Sequence, residues 1–358
     1  MNARERYLSV YDSDAKNHLD RVPTFVQYIR QEFIIKNWEQ LKGFRRDTNL
    51  ISDYFCVPHF LGFDSIFAPI PPSIKIKSIK VKTDKDILIR IGEDGQTIKR
   101  KSEYYEGGYI HSLDILNKLN ANKKIVDISH YIKKLMIKFD KMSNKIYPIL
   151  TIDGIFDRVW KSMGFNVFSR HFKKKSKLYK ELIEFYASIT YKNVESFINS
   201  YGENNNVITI LDDFAYKTGP MISPAQWDID ILPYYKKINS LISDAGMISQ
   251  IHSDGDPTLL IPSLQKAGFK GLQGWEGECN PTYINSHFPD FVVIGFGDVS
   301  NVLPFGSKNQ IIAHVKNLLE IFKENRHFIL APSTVIHQSI PLNNVELFIR
   351  SAHEYGKY

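Results

Sequence analysis

Short apolar runs that end in polar residues recur along the carboxyl-terminal half of the chain. Five of them alternate with segments of helical pattern, at residues 207–213, 246–256, 271–279, 291–298 and 328–334. Buried strands separated by helices indicate parallel pairing, because a parallel connection needs a crossover of about a dozen residues or more. The chemistry of such folds lies at the carboxyl ends of the strands. We therefore expect the polar residues at these five ends to converge on one site.

The amino-terminal half supplies the other elements of a βα fold. Residues 2–19 have apolar positions at roughly helical spacing, residues 24–29 predict a first strand, and residues 145–153 predict a strand that ends in an aspartate. Ser223 and Ser307 stand where the N-caps of later helices belong, and a proline follows the former. Strands and helices therefore alternate along most of the sequence.

An inserted hairpin interrupts this alternation. Residues 73–90 and 96–102 alternate polar and apolar positions, and the acidic, glycine-containing residues 93–95 between them are typical of a turn. We interpret the region of about 73–110 as a β-hairpin insertion over one end of the domain. Tyr109 ends a segment rich in glycine and tyrosine, and its ring can either stack on a flat ligand or pack in the core.

The length of the chain suits one barrel. A chain of 358 residues can form a (β/α)₈ barrel of roughly 250 residues with insertions, or two smaller domains. No linker, low-complexity tract or repeat divides the sequence. We therefore predict a single α/β domain over residues 1–358, a (β/α)₈ TIM barrel with an amino-terminal helical segment and an inserted β-hairpin.

Composition excludes several classes of protein. No apolar run reaches the roughly 18 residues of a membrane-spanning helix, and the first residues lack the apolar core of a secretory signal. With two distant cysteines and no export signal, we expect a cytoplasmic protein without a disulfide framework. The net charge of +7 comes without a basic stripe interleaved with aromatic residues, so we expect no nucleic-acid and no membrane partner. The clustered lysines form either a solvated surface or a docking surface for an acidic protein.

Some strand ends carry residue types that bind metals. His252 is followed closely by Asp254, and this pair can either ligate a metal or hydrogen-bond within the rim of the barrel. Cys279 follows the next strand beside Glu276. It can supply a thiolate ligand, or it can be an inert buried thiol.

Other strand ends carry candidate catalytic groups. Asp212 and Asp213 are adjacent, and adjacent strand residues face opposite sides, so only one of them can face the site; we favour Asp213, together with Tyr216. Asp298 can orient a substrate or merely cap the next turn. His337 follows the last strand and can transfer protons near neutral pH. The catalytic candidates are therefore Asp213, Tyr216, Asp298 and His337.

Several short stretches together resemble the uroporphyrinogen decarboxylase superfamily, including its corrinoid-dependent methyltransferase branch. They occur in the order and spacing of that superfamily, at residues 2–7, 20–23, 212–213, 219–224, 251–255, 295–298, 329–332, 341–345 and 355–356. The resemblance covers nearly the whole chain. It implies a (β/α)₈ barrel, in agreement with the pattern of strands and helices.

The sequence departs from the true decarboxylases of this superfamily. Those enzymes have two arginines four positions apart after the first strand, whereas this chain has Arg30 and Ile34. Thr334 stands where they have a histidine in the last strand–loop, and His337 follows three residues later. A polycarboxylate substrate needs several cations, so the resemblance favours the methyltransferase branch. The alternative is a metal-free lyase for a tetrapyrrole or small carboxylate, with Asp213 holding pyrrole nitrogens and Arg30 a carboxylate.

The methyltransferases that the chain resembles bind zinc through a His-x-Cys pair and a distant cysteine in the last strand. Here His252 matches the histidine, while Asp254 and Thr334 stand at the two cysteine positions. Mixed nitrogen, oxygen and sulfur ligands are compatible with zinc. The resemblance thus implies a variant zinc site formed by His252, Asp254 and Cys279.

The resemblance also implies an activity. We expect a methyltransferase that moves a methyl group between a small methylated substrate or acceptor and a corrinoid of the cobalamin type. The corrinoid would be supplied by a partner protein, since the chain shows no second domain to hold it. Arg30, Tyr109 and Glu276 are the candidate substrate-binding residues. A further alternative is a non-catalytic protein that binds a corrinoid or a tetrapyrrole.

Overall fold

An eight-stranded parallel sheet forms the centre of the protein. The computed structural model describes residues 1–43, 52–83, 87–97, 107–201 and 206–358. The strands follow one another around the sheet in chain order: β1 Phe25–Val26, β2 Ser65–Pro69, β3 Tyr147–Asp153, β4 Val207–Leu211, β5 Ile248–His252, β6 Gly271–Trp275, β7 Val292–Gly297 and β8 Phe328–Pro332. Parallel bridges from Thr24 to Leu330 and from Ile29 to Ile336 bring the first strand beside the last. The predicted (β/α)₈ barrel is therefore confirmed.

Helices alternate with these strands. In the described ranges the α-helices are Ala3–Ser9, Gln31–Lys36, Trp38–Leu41, Asp53–Leu61, Leu113–Ala121, Ser129–Met142, Phe156–Met163, Phe165–Lys173, Lys177–Tyr201, Pro224–Asp230, Leu232–Asp244, Ile261–Ala267, Pro281–His287, Val302–Phe305, Lys308–Phe322 and Leu342–Tyr355. Ser223 and Ser307 cap two of them through their hydroxyls, as the sequence predicted. No helix in these ranges is long and apolar enough to cross a membrane.

The amino-terminal segment differs from its prediction. The helix expected over residues 2–19 ends at Ser9, and a short 3₁₀ helix follows at Ala15–His18. Tyr7 packs among apolar side chains inside the barrel and donates a hydrogen bond of 3.1 Å to Gln250 Oε1. Gln250 lies in the middle of β5, two residues before the strand ends at His252. Just beyond the helix end, the Asp12 carboxylate accepts hydrogen bonds from the backbone N–H groups of Asp14 and Ala15, a local turn that competes with continuation of the helix.

The insertion also differs in its pairing. Residues Ile74–Ile76 pair with Lys123–Ile125, and we call this pair the first small sheet. Residues Ile79–Lys82 pair with Leu88–Ile91, and we call this pair the second small sheet. A bridge from Ile91 to Thr97 closes the predicted turn at 93–95, while residues 98–102 lie outside the described ranges. The insertion therefore contains a β-hairpin, Ile79–Lys82 with Leu88–Ile91, but both of its strands fall largely within the region predicted as one strand, because alternation identifies the exposed face of a strand and not its partner.

Candidate active site

Three side chains converge at the carboxyl ends of β4 and β5. Asp213 follows β4, His252 ends β5, and Asp254 lies two residues further along. His252 Nε2 is 3.6 Å from Asp213 Oδ1 and 3.8 Å from Asp254 Oδ1. One nitrogen or oxygen atom from each residue lies within 4.8 Å of the other two. Two carboxylates and one imidazole therefore face a common point.

The two carboxylate oxygens at this point lack hydrogen bonds. Asp213 Oδ1 and Asp254 Oδ1 are both buried, and neither has a donor among the described residues. A buried polar atom without a partner costs free energy. Carboxylate oxygens and an imidazole nitrogen are common ligands of zinc and of other divalent cations. The residues present therefore fit a divalent metal.

Neighbouring polar groups orient the imidazole of His252. Its side chain is only 12% exposed, and Nδ1 lies 3.2 Å from the backbone carbonyl oxygen of Gln273. A carbonyl oxygen can only accept, so this contact favours the tautomer with its proton on Nδ1. The lone pair of Nε2 then points towards Asp213 and Asp254. The lone pair and the two carboxylates direct negative charge towards one point, and a cation bound there would stabilise them.

Lys161 fixes the opposite side of Asp213. Its ammonium group lies 3.0 Å from Asp213 Oδ2 and 2.9 Å from Asp157 Oδ2. Burial alone would raise the pKa of Asp213, but the positive charges of Lys161 and of His252, when its ring is protonated, hold that pKa below its usual value. Burial raises the pKa of Asp254, His252 opposes this, and the Asp213 charge adds to it. Asp213 is therefore the more firmly ionised of the two carboxylates.

Asp212 faces away from this point and anchors a helix. It accepts hydrogen bonds from the backbone N–H groups of Phe156 (3.0 Å) and Asp157 (2.6 Å), and from the hydroxyl of Tyr235. These N–H groups begin the helix Phe156–Met163, where an anion is favoured. Burial and the neighbouring Asp157 raise the pKa of Asp212 to about 7. The two adjacent aspartates thus have different roles: Asp213 faces His252 and Asp254, whereas Asp212 binds the amino-terminal end of the helix Phe156–Met163.

A cavity of about 420 Å³ opens beside the three converging residues. Six carboxylates and two permanently charged cations are among the residues that line it: Glu93, Asp94, Gln96, Asp153, Asp157, Arg158, Lys161, Leu211, Asp212, Asp213 and His252. The guanidinium of Arg158 lies 3.4 Å from Glu93, and Lys161 is held between two aspartates. The lining therefore has more negative than positive groups, and both cations already have anionic partners.

The comparison with known families identifies the chain. A family model described as uroporphyrinogen decarboxylase (URO-D) matches residues 111–355, which is more than half of the sequence. The chain belongs to the URO-D family. The match includes β3 to β8 and hence Asp213, His252 and Asp254, although no curated protein sequence matches the chain.

One solved structure shares the barrel fold of this URO-D family member. A methyltransferase from Methanosarcina mazei superimposes with a TM-score of 0.65 at 16% identity, covering 99% of this chain and 99% of that chain. A xylose isomerase domain protein from Alicyclobacillus acidocaldarius has a TM-score of 0.35 at 9% identity, covering 86% of this chain and 94% of that one. At these identities the first likeness indicates a shared fold, and the second score is too low to indicate one.

Cys279, the predicted sulfur ligand, lies apart from the three converging residues. Its thiol is 3.4 Å from the carbonyl oxygen of Gly255 and 3.6 Å from Asp256 Oδ1. Burial raises the pKa of this thiol, and the Asp256 charge raises it further. Glu276 accepts a hydrogen bond from the backbone of Gly255 at 3.0 Å. Both residues thus contact the loop after β5, and Cys279 remains a predicted ligand that lies outside the group formed by Asp213, His252 and Asp254.

Tyr216 and Asp298, two of the predicted catalytic residues, make contacts outside the cavity. The ring of Tyr216 is exposed and lies 6.0 Å from the ring of Phe165. Asp298 accepts hydrogen bonds of 2.8 Å from the backbone N–H groups of Ser300 and Asn301. Asp298 therefore caps its own turn, which is the structural alternative that the sequence left open.

Three further predicted site residues are not among those that line the cavity: His337, Arg30 and Tyr109. His337 Nδ1 is 3.3 Å from the backbone N–H of Ser339, within its own turn. Arg30 begins the helix that follows β1, and the ring of Tyr109 lies 6.0 Å from that of His111. These three remain predicted site residues, and none of them is part of the cavity lining.

Sequence reasoning missed four residues around the site. Asp157 and Lys161 lie four apart on a short helix after β3, a spacing that places them on one face. Gln27 donates to Gln273 Oε1 at 3.0 Å and lies 3.3 Å from His252 Nδ1. The aspartate–lysine pair was visible as an i, i+4 pattern, whereas nothing distinguishes these two glutamines from others in the sequence.

Proposed function

We propose that this URO-D family protein is a metal-assisted methyltransferase. It would move a methyl group between a small methylated substrate or acceptor and a corrinoid that a partner protein carries. The observation that carries the proposal is the convergence of Asp213, His252 and Asp254, with two buried carboxylate oxygens that lack partners. The barrel of the Methanosarcina mazei methyltransferase, which superimposes along the whole chain, adds support.

Each residue of the site has a defined role in this proposal. Asp213, His252 and Asp254 would hold a zinc or similar ion, which supplies a Lewis acid that lowers the pKa of an acceptor thiol or polarises a methyl-bearing heteroatom. Lys161 holds Asp213 through Oδ2 and leaves Oδ1 directed at the metal position. The carbonyl of Gln273 orients the imidazole of His252.

The charge of the cavity argues against a polycarboxylate substrate. Six carboxylates line it, and its two permanent cations are already paired with aspartate or glutamate side chains. A substrate with several carboxylates needs free arginines or lysines to balance them. This favours a small, neutral or weakly charged methyl compound. The metal-free lyase is the second candidate, since the unpartnered oxygen of Asp213 could accept hydrogen bonds from pyrrole N–H groups.

Metal content tests the proposal directly. Wild-type protein purified without chelator should contain about one zinc or other divalent ion per chain, since three ligands and an open position are typical of catalytic zinc. His252→Ala and Asp213→Asn should lose it, because each removes one of the three ligands. Cys279→Ser is the matched control and should retain it. The measurement is inductively coupled plasma mass spectrometry on each purified variant.

Two results would contradict this assignment. Wild-type protein that holds no metal after incubation with zinc would eliminate the metal-assisted reaction, and porphyrinogen decarboxylation would be assayed next. Loss of metal in Cys279→Ser would mean that the Cys279 thiol is one of the metal ligands. If metal is present, conversion of free cob(I)alamin to methylcob(III)alamin with small methylated substrates, followed by absorbance, tests the transfer itself.

A further inference from the structure

The side-chain amide of Gln27 lies above the plane of the His252 ring. Its nitrogen, Nε2, is 3.3 Å from Nδ1 and 3.4 Å from Nε2 of the imidazole. A nitrogen in the plane of the ring could not be this close to both ring nitrogens, because it would overlap Cε1, which lies between them. Gln27 therefore covers one face of the ring and leaves the lone pair of the imidazole Nε2 free.

Hydrogen bonds fix the direction in which this amide points. The backbone carbonyl of Ser333 accepts from Nε2 of Gln273 at 3.4 Å, and a carbonyl oxygen can only accept. Oε1 of Gln273 must therefore point the other way, where it accepts from Nε2 of Gln27 at 3.0 Å. The hydroxyl of Thr334 donates to Oε1 of Gln27 at 3.2 Å. The N–H groups of Gln27 thus face Gln273 and His252, and its oxygen faces Thr334.

Burial makes this arrangement hard to exchange for another. Gln27, Gln273 and Ser333 are all buried, and every side-chain nitrogen and oxygen of the two glutamines has a hydrogen-bond partner. A flipped Gln27 amide would place two carbonyl oxygens against each other, and water could not replace the lost hydrogen bonds. The residues therefore form a directed chain of hydrogen bonds, which we call the glutamine relay: Ser333, Gln273, Gln27 and Thr334.

The glutamine relay restrains the imidazole together with two other contacts. The second N–H of the Gln27 amide can point at the π face of the ring, which is a weak but directional attraction. The backbone carbonyl oxygen of Gln273 lies 3.2 Å from Nδ1, and the ring of Phe67 packs edge-on with its centroid 6.2 Å from that of His252. Rotation of the imidazole about its Cβ–Cγ bond would move Nδ1 away from this carbonyl. The imidazole Nε2 consequently stays directed at the two carboxylates of the site.

We propose that Gln27 is a positioning residue, which holds the imidazole of His252 in the orientation that binds the metal. Gln27 directly follows β1, and Ser333 and Thr334 directly follow β8, so the closure of the barrel brings the glutamine relay to the end of β5. Replacing a group that orients a metal-binding histidine typically weakens metal affinity by about 10- to 100-fold. The restraint on the ring follows from the contacts of the relay, while the binding of a metal by His252 rests on the proposed function.

Gln27→Leu tests this role, because leucine is similar in size and lacks the amide. In metal-free wild-type protein with isotope-labelled histidine, at mildly alkaline pH, long-range proton–nitrogen NMR spectra should show His252 as one tautomer, with its proton on Nδ1. Gln27→Leu should show both tautomers, because the ring is then free to turn. Its zinc affinity, measured by competition with a chelating dye, should be about 10- to 100-fold weaker. The resonances of His252 are assigned by their absence in His252→Ala.

Control variants separate this role from the stability of the barrel. Gln250→Leu removes another buried amide from the barrel interior, on the same strand as His252. It should lower the Tm, because its buried hydrogen-bond partners are left unpaired, and it should leave the tautomer and the zinc affinity unchanged. Thr334→Val removes the donor to Gln27 and should change both in the direction of Gln27→Leu. Thr334→Ser retains the hydroxyl and should match the wild type.

The outcomes distinguish this inference from the proposed function. A Gln27→Leu protein in which His252 keeps the single wild-type tautomer would overturn the positioning role. Equal changes in Gln250→Leu would also overturn it, since a general loosening of the barrel would then explain them. Wild-type protein that binds no zinc would contradict the proposed function. The tautomer comparison uses metal-free protein, so it would still decide whether Gln27 positions the ring.

Discussion

Asp64 links the amino-terminal segment to the barrel through two arginines. Its carboxylate, only 5% exposed, lies 2.7 Å from Arg6 and 2.7 Å from Arg21, and it accepts further hydrogen bonds from Thr24. Burial would raise the pKa of Asp64, but Arg21 and Arg6 hold it below the usual value. Asp20, bonded to Arg6, also has a lowered pKa, for which the Arg6 contact is the main cause. The network is therefore fully charged at neutral pH.

Neutralising Asp64 should destabilise the protein strongly. In Asp64→Asn the two arginines lose their buried countercharge, and the free energy of unfolding should fall by about 3–5 kcal/mol. Because the folded pKa is lowered, the stabilisation is present above the unfolded pKa of about 4 and is lost as the pH falls below it. Urea unfolding between pH 3 and pH 7 should show a weaker acid dependence in the variant.

Asp114→Asn is the control for this change. Asp114 pairs with Lys118 on the surface of a helix, where both side chains are largely exposed. Such a pair contributes only about 0.3–0.5 kcal/mol. A loss of similar size in Asp64→Asn would contradict the role of the buried network.

At the scale of a single element, the helix Ala3–Ser9 covers one end of the barrel. Tyr7 is fully buried among the first residues of several strands, including Phe25 and Tyr147. Its hydroxyl and that of Tyr11 both donate to Gln250, whose amide in turn donates to Thr209 at 2.6 Å. The helix therefore contributes both an aromatic side chain and hydrogen bonds to the barrel interior.

Two substitutions at Tyr7 separate these contributions. Tyr7→Phe removes only the hydroxyl, and because Tyr11 still donates to Gln250, the loss should be about 1 kcal/mol. Tyr7→Ala also leaves a cavity and should cost about 3–5 kcal/mol, as for other large aromatic residues. The free energy of unfolding in urea measures both. Tyr131→Phe, at an exposed position on the helix Ser129–Met142, should have no measurable effect, and a neutral Tyr7→Ala would show that the helix does not cover the barrel.

At the scale of the whole molecule, the order of the strands forms the candidate site. β4 and β5 are neighbours in the sheet and pair in parallel, with His252 beside Leu211. The residues that follow each strand therefore leave the same edge side by side, which brings Asp213 and Asp254 to His252. Residues far apart in sequence, Gln27 and Thr334, reach the same region because β1 and β8 close the barrel.

A metal bound at this site should stabilise the whole barrel. A ligand that binds only the folded state adds RT ln(1 + [L]/Kd), which is about 2.7 kcal/mol at a concentration of 100 Kd. Zinc should therefore raise the Tm of the chelator-treated wild type by a few degrees. His252→Ala should show no such shift in differential scanning fluorimetry. An equal shift in both proteins would mean that the zinc binds elsewhere.

The sequence by itself determined the fold and the edge at which the site lies. Buried strands separated by helices allow only parallel pairing through crossovers, and the polar residues that end them must meet at one edge. The sequence also predicted the caps of two helices, since Ser223 and Ser307 cap the helices that follow them. These features depend on periodicity and on nearest neighbours, both of which a single chain displays.

Only the tertiary structure decided which candidate residues lie close together and in which direction their side chains point. Asp213 and Cys279 both follow strands, but only the loop after β4 turns its carboxylate towards His252, while the thiol turns to Gly255. The insertion divides into two small sheets because pairing partners are chosen by the turn and by packing. Likewise, the amino-terminal helix ends at Ser9, although the helical spacing of apolar residues continues beyond it. Side-chain type and spacing identify candidates for a site, and only the path of the backbone in three dimensions determines which of them meet.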